Sequence, residues 1–183
     1  MKRNQSNILL AAGLILMAAL LRIINQEMHW YNLAPIAAVG LFAGAIIKEK
    51  RFAYILPLLS MFIADLYFQL FTSVNGFYGF EQLFVYGGMA VVTYLGTIMG
   101  KVNVPKVVGY SLVGSLAFFV LSNLGSFLTG MWGLNGAGFV KTYVMAIPFF
   151  KNTVISDLVG NGVLFGVYFL AQRAFTPQVQ KAA

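Results

Sequence analysis

Six apolar runs, separated by short connections, divide this chain at Ile8–Ile24, Leu33–Ile47, Phe52–Leu70, Leu83–Met99, Val107–Leu128 and Tyr143–Leu170. A helix needs about 20 apolar residues to cross the ~30 Å hydrocarbon core of a bilayer. Runs of this length, repeated this often, leave little chain for anything else. Charge is correspondingly scarce, at 9% of 183 residues, where a soluble domain carries about a quarter. Such a chain cannot cover itself in water, and it is far too apolar to be disordered. The composition excludes a soluble domain and predicts an all-α membrane protein of six spans, a single integral domain throughout.

Pro148 and Lys151 interrupt the last run, so its span is placed at 148–170; the others are placed at 8–24, 33–47, 52–70, 83–99 and 107–128. The second is short and rich in small residues, Ala34, Ala37, Ala38, Gly40, Ala43, Gly44 and Ala45. It suits close packing against neighbours or a re-entrant segment. Met1-Lys-Arg followed by an apolar run resembles a signal peptide, but Arg22-Ile-Ile-Asn-Gln offers no small-residue cleavage site, and a retained first helix is expected.

The net charge of +7 does not point to nucleic acid, because the basic residues flank apolar runs rather than cluster on a polar face. With six spans and the N-terminus inside, Lys2, Arg3, Lys48, Lys50, Arg51, Lys101, Lys106, Arg173 and Lys181 are cytoplasmic, nine of the twelve basic residues. The positive-inside rule thus places both termini in the cytoplasm. Trp30 and Trp132 then fall at the outer face, with Phe77, Tyr78 and Phe80. The longer outer segments, 71–82 and 129–142, are rich in Gly and aromatics; they fit an interfacial belt or a lid over an outward-facing pocket.

Chemistry is concentrated in the polar groups that interrupt the spans. Counting ~1.5 Å per residue from the cytoplasmic side puts Arg22 at ~21 Å, Asp65 at ~20 Å, Asn123 at ~24 Å and Asp157 at ~21 Å. Four helices therefore contribute to one layer in the outer half of the bilayer. Thr153, Asp157 and Asn161 share a helix face, as do Asp65 and Gln69, and Arg22 with Asn25 and Gln26. Such stripes face the bundle interior or a hydrated cavity. Arg22 is expected to pair with Asp65, Asp157 or both. The network either lines a ligand site or only fixes helix packing. Lys151, at the start of the last span, suits an anionic ligand group or the interface. His29 stands alone and makes a poor metal ligand.

No metal, thiolate or cofactor chemistry is expected: cysteine is absent, and neither a His-Glu-x-x-His nor a Walker-type loop occurs. No Gly-x-Gly-Asp surrounds Asp65 or Asp157, and enzymatic activity is not expected. Three Gly-x-x-x-Gly pairs, Gly40/Gly44, Gly96/Gly100 and Gly162/Gly166, suit close helix packing within the chain.

Several stretches carry a family resemblance: Asn32-Leu-Ala-Pro-Ile-Ala-Ala-Val-Gly-Leu-Phe-Ala-Gly, Leu56-Pro-Leu-Leu-Ser-Met-Phe-Ile-Ala-Asp-Leu, Phe118-Phe-Val-Leu-Ser-Asn-Leu-Gly and Ala146-Ile-Pro-Phe-Phe-Lys-Asn-Thr-Val-Ile-Ser-Asp-Leu. Over residues 20 to 168 the chain resembles a group of small bacterial inner-membrane proteins similar to the substrate-binding S components of energy-coupling factor (ECF) vitamin transporters. The resemblance implies a six-helix S-component fold that captures a small vitamin-like molecule beneath its outer loops. It also implies a separate transmembrane coupling protein with two ATPases, or solitary action. The positions it carries over are Asp65, Asn123 and Asp157, with Lys151 and Asn152 alongside; Arg22, Asn161 and Trp132 join them from the polar layer and the aromatic loops. A non-transporting scaffold and a solitary proton-coupled carrier are the alternatives.

Overall fold

The computed structural model describes residues 2–28 and 34–175. His29, Trp30 and Lys181 lie outside them. Six helices follow in order: α1 (Lys2–Glu27), α2 (Ile36–Ile46), α3 (Lys50–Phe71), α4 (Glu81–Ile98), α5 (Val104–Leu128) and α6 (Gly136–Phe175). Among the described residues, α3, α5 and α6 are long and apolar enough to cross a membrane.

The distribution of side chains is the reverse of a soluble protein's. Leu70, Leu83, Val104, Val159 and Leu170 on the outside are each more than half exposed. Ser60, Asp65, Thr93, Ser111, Ser115, Asp157 and Asn161 are buried. In water such an exterior would aggregate. Against acyl chains it is the stable arrangement, because polar groups then find partners only inside the bundle. The fold is an all-α bundle of a membrane protein, as the composition requires.

The short second run forms the centre. At 11 residues and ~1.5 Å per residue, α2 is ~16 Å long, about half the hydrocarbon thickness. It touches each of the other five helices, and every residue from Ala37 to Gly44 is buried. Glycine makes this possible where α2 crosses α4. A Cβ on Gly44 would lie 2.0 Å from the Thr93 carbonyl oxygen, and one on Gly96 2.3 Å from that of Leu41. The obstacles are backbone atoms, which cannot step aside. On its other flank, Phe42 meets Phe165 and Tyr168 edge-on at 5.2 and 5.7 Å.

Two sequence expectations are revised. α6 does not begin near Pro148 but at Gly136, and it runs through the proline for 40 residues. The segment before Pro148 is held helical by contacts with α5. Tyr143 donates its hydroxyl to the Val120 carbonyl at 2.9 Å, and its ring packs against Phe119 and Phe139. Asn135 accepts from the Gly138 amide and caps the new start. The glycine pairs also diverge. Gly40, Gly44 and Gly96 pack against neighbours, whereas a Cβ on Gly162 or Gly166 would meet nothing within 4 Å. Gly100 has φ +71° and serves the turn after α4 instead.

These contacts separate two classes of glycine by experiment. Gly44→Ala and Gly96→Ala are expected to lower the Tm of the detergent-purified protein by several degrees, as overpacking of about 1–3 kcal/mol does. Gly162→Ala and Gly166→Ala are expected to leave it unchanged or raise it slightly, since alanine is the better helix former by about 1 kcal/mol.

Candidate functional site

The interior polar groups resolve into two clusters. In the first, α1 and α3 run side by side in the same direction, bringing Arg22 and Asp65 together near their C-terminal ends. The Arg22 Nη2 lies 2.6 Å from Asp65 Oδ1, while its Nη1 donates to the Met61 carbonyl at 3.1 Å. Its guanidinium also covers the Phe68 ring at 5.5 Å. The start of α4 completes the site: Tyr86 donates its hydroxyl to Asp65 Oδ2 at 2.7 Å, and Gln82 donates Nε2 to the same oxygen at 3.1 Å. Asp65 Oδ2 thus accepts two hydrogen bonds, while the buried Oδ1 is held by the ion pair alone.

The connection from α3 to α4, residues 72–80, folds back over this cluster. Gly76 sits on the α3 backbone, where a Cβ would fall 1.8 Å from the Asp65 carbonyl oxygen. The Phe77 amide donates to Gln69 Oε1 at 3.3 Å, and its ring meets Phe62 at 5.8 Å. Burial, and behind it the charge of Asp65, pushes the Tyr78 hydroxyl up to about 12 against the pull of Arg22. Tyr78 therefore stays a protonated donor at any physiological pH. A cleft of about 20 Å³ beside Arg22, Ser60 and Met61 has room for one water molecule.

The second cluster is built around the N-terminus of α2. Pro35 occupies the cap position and offers no side-chain acceptor, yet this helix end lies inside the bundle, where its free N–H groups need partners. Asp157 of α6 supplies them from across the core. Its Oδ1 accepts the Ala38 amide at 3.0 Å, with the Ala37 amide close by. Its Oδ2 accepts from the Ser115 hydroxyl of α5 at 2.7 Å. One helical turn on, Asn161 donates Nδ2 to the Ser111 hydroxyl at 2.7 Å. Gly160 admits the approach, since a Cβ there would lie 2.4 Å from that of Pro35.

The expected polar groups therefore do not join in one network. Arg22 pairs with Asp65 and not with Asp157, whose partners are neutral donors. Asn123 belongs to neither cluster: its Nδ2 donates to the Phe119 carbonyl of its own helix at 2.8 Å. Lys151 is exposed, and Asn152 is half-buried beside it. Trp132 lies in the connection between α5 and α6, stacked under Lys141 Nζ at 3.8 Å. Among the described residues, no group of three His, Cys, Asp or Glu is placed to hold a metal ion.

A model of DUF6580, a family of unknown function, matches residues 2–180 of the chain. The chain belongs to this family. No curated protein and no solved structure matches it. Within this DUF6580 member, sequence reasoning missed Gln82, Tyr86, Ser111 and Ser115, although each pair is spaced i, i+4, the first at the start of an apolar run and the second inside one. It also missed the Ala37 and Ala38 amides, for which the signal was a proline followed directly by a helix of small residues.

Asp157→Ala leaves buried N–H groups without an acceptor, at about 1–3 kcal/mol each. It is expected to lower the Tm sharply in detergent. Asp157→Asn keeps one carbonyl oxygen for the Ala38 amide and is expected to lose less than half as much. Equal Tm values for the alanine variant and the wild type would show that α2 does not depend on this cap.

Proposed function

We propose that this chain is a membrane-embedded substrate-binding subunit that captures a small vitamin-like molecule from the outer face, in the manner of the S components it resembles. The observation that carries the proposal is the Arg22–Asp65 pair lying directly under the 72–80 connection. A buried ion pair contributes little net stability, because desolvation offsets most of its attraction. Its position beneath a loop seated through Gly76, Phe77 and Tyr78 suits a different use. Lifting that loop exposes a cation, a carboxylate and the Tyr86 hydroxyl together, and a polar ligand exchanges partners with them.

The orientation follows from charge. Lys48, Lys50, Arg51, Lys101, Lys106 and Arg173 gather at the bundle end opposite this site, which the positive-inside rule assigns to the cytoplasm. The site then faces outward, both termini face the cytoplasm, and a bacterial inner membrane is the location. The subunit performs no chemistry on its ligand. Energy comes from a coupling protein with ATPases or, in a solitary carrier, from protons taken up at the carboxylates. A scaffold is the second reading, favoured by Asp157, whose contacts are fully accounted for by capping α2.

Native mass spectrometry of gently purified protein tests the first reading. The wild type is expected to retain a small-molecule adduct, Tyr86→Phe to weaken it about tenfold, as loss of one charge-assisted hydrogen bond of roughly 1.5 kcal/mol does, and Asp65→Asn to lose it. Tyr86→Phe should leave the Tm within a few degrees. An adduct that survives both substitutions places the ligand elsewhere. A wild type without adduct, together with a lowered Tm in both variants, supports the scaffold.

A further inference from the structure

At the basic end of the bundle, α5 and α6 part to leave a groove of about 470 Å³. Its bed contains Gly162 and Gly166, where a Cβ would meet nothing within 4 Å. These two glycines thus take no part in the internal packing that occupies Gly40, Gly44 and Gly96; they keep a trough open. Val104 and Val108 of α5 and Phe165 and Phe169 of α6 wall it. Ser111 also lines it, but its hydroxyl is already spent on the Val107 carbonyl at 2.7 Å and on Asn161. The trough therefore presents no unmet polar group along its length.

Its mouth is different. Arg173, in the last turn of α6, is exposed there, beside Asn103 at the start of α5. No carboxylate is among the described residues lining the groove. Along α6, the distance from Arg173 to Gly162 is ~16 Å, about the depth of one leaflet of a ~30 Å hydrocarbon core. The groove thus has a cation at headgroup level and an apolar channel one leaflet deep. A helix docking on Gly162 and Gly166 would need them on a raised face, whereas here they lie in a recess between two helices, which suits a flexible chain.

We propose that this groove binds an anionic phospholipid of the adjoining leaflet, its phosphate held by Arg173 and one acyl chain lying over Gly162 and Gly166. A guanidinium suits a phosphate through paired N–H donors, and basic pockets between helices are where anionic headgroups collect. The site is separate from the Arg22–Asp65 cluster and does not depend on the function proposed for it.

The test uses the full-length protein in detergent mixed with dioleoyl phosphatidylglycerol and dioleoyl phosphatidylcholine in equal amounts, read by native mass spectrometry. The wild type is expected to retain phosphatidylglycerol about fivefold over phosphatidylcholine, the preference that one well-placed cation confers. Arg173→Gln should bring the two lipids to parity while still holding both. Gly166→Leu, which fills the trough at a position with open space around it, should lose both adducts at an unchanged Tm. Equal retention of the two lipids by the wild type overturns the proposal. So does a preference that survives Arg173→Gln, or adducts that survive Gly166→Leu.

Discussion

The carboxylate of Asp157 on the N-terminus of α2 is the interaction on which the arrangement of the other helices depends. A helix that starts inside a bilayer presents N–H groups that water cannot reach, and in hydrocarbon each costs several kcal/mol if left unpaired. Pro35 helps, because it has no N–H to satisfy, but it also has no side-chain acceptor. The acceptor comes from α6, and the same carboxylate is anchored by Ser115 of α5. One side chain thereby joins three helices, and the positive end of the α2 dipole stabilises its charge.

With its N-terminus satisfied, a half-length helix can stand at the centre of the bundle. Its small residues then set how closely the others approach. Gly44 and Gly96 bring the α2 and α4 backbones into direct contact, while Phe42 fills the wider gap toward α6. Without a hydrophobic driving force between helices in lipid, this close packing is a main source of association energy. The Arg22–Asp65 cluster lies among α1, α3 and α4, under a connecting loop. The two carboxylates therefore have different partners, although both are buried in apolar helices. Asp157 serves backbone amides that cannot move. Asp65 serves side chains and lies against a loop.

Much of the fold was legible because lipid imposes strict rules on sequence. Apolar runs counted the helices, and the small residues of the second run marked it as the packed one. The burial of Asp65, Asp157 and Asn161 followed from their helical spacing. The start of α6 was not legible: Pro148 is a strong local stop signal, and only aromatic packing of Phe119, Phe139 and Tyr143 across α5 and α6 overrides it. Of the candidate site, the Arg22–Asp65 pairing was among the expected options, while the partners of Asp157 were not. Ala37 and Ala38 contribute only backbone N–H groups, and a backbone donor leaves no residue type to recognise. Asn123 shows the converse, since its mid-span side-chain amide donates to the Phe119 carbonyl of its own helix rather than to a neighbouring one.

The sequence by itself determined the solvent, the helical class and the set of side chains that must face inward. Each of these follows from composition and from periodicity along one helix. Tertiary structure alone decided which inward-facing group meets which, because periodicity defines a face on each helix but not the rotation and depth of one helix against another. Those are set by where backbones can touch, at Gly44 and Gly96, and by which buried donors would otherwise lack an acceptor, at Ala37 and Ala38. One expected polar network thus became a packing anchor at Asp157 and a loop-covered ion pair at Asp65.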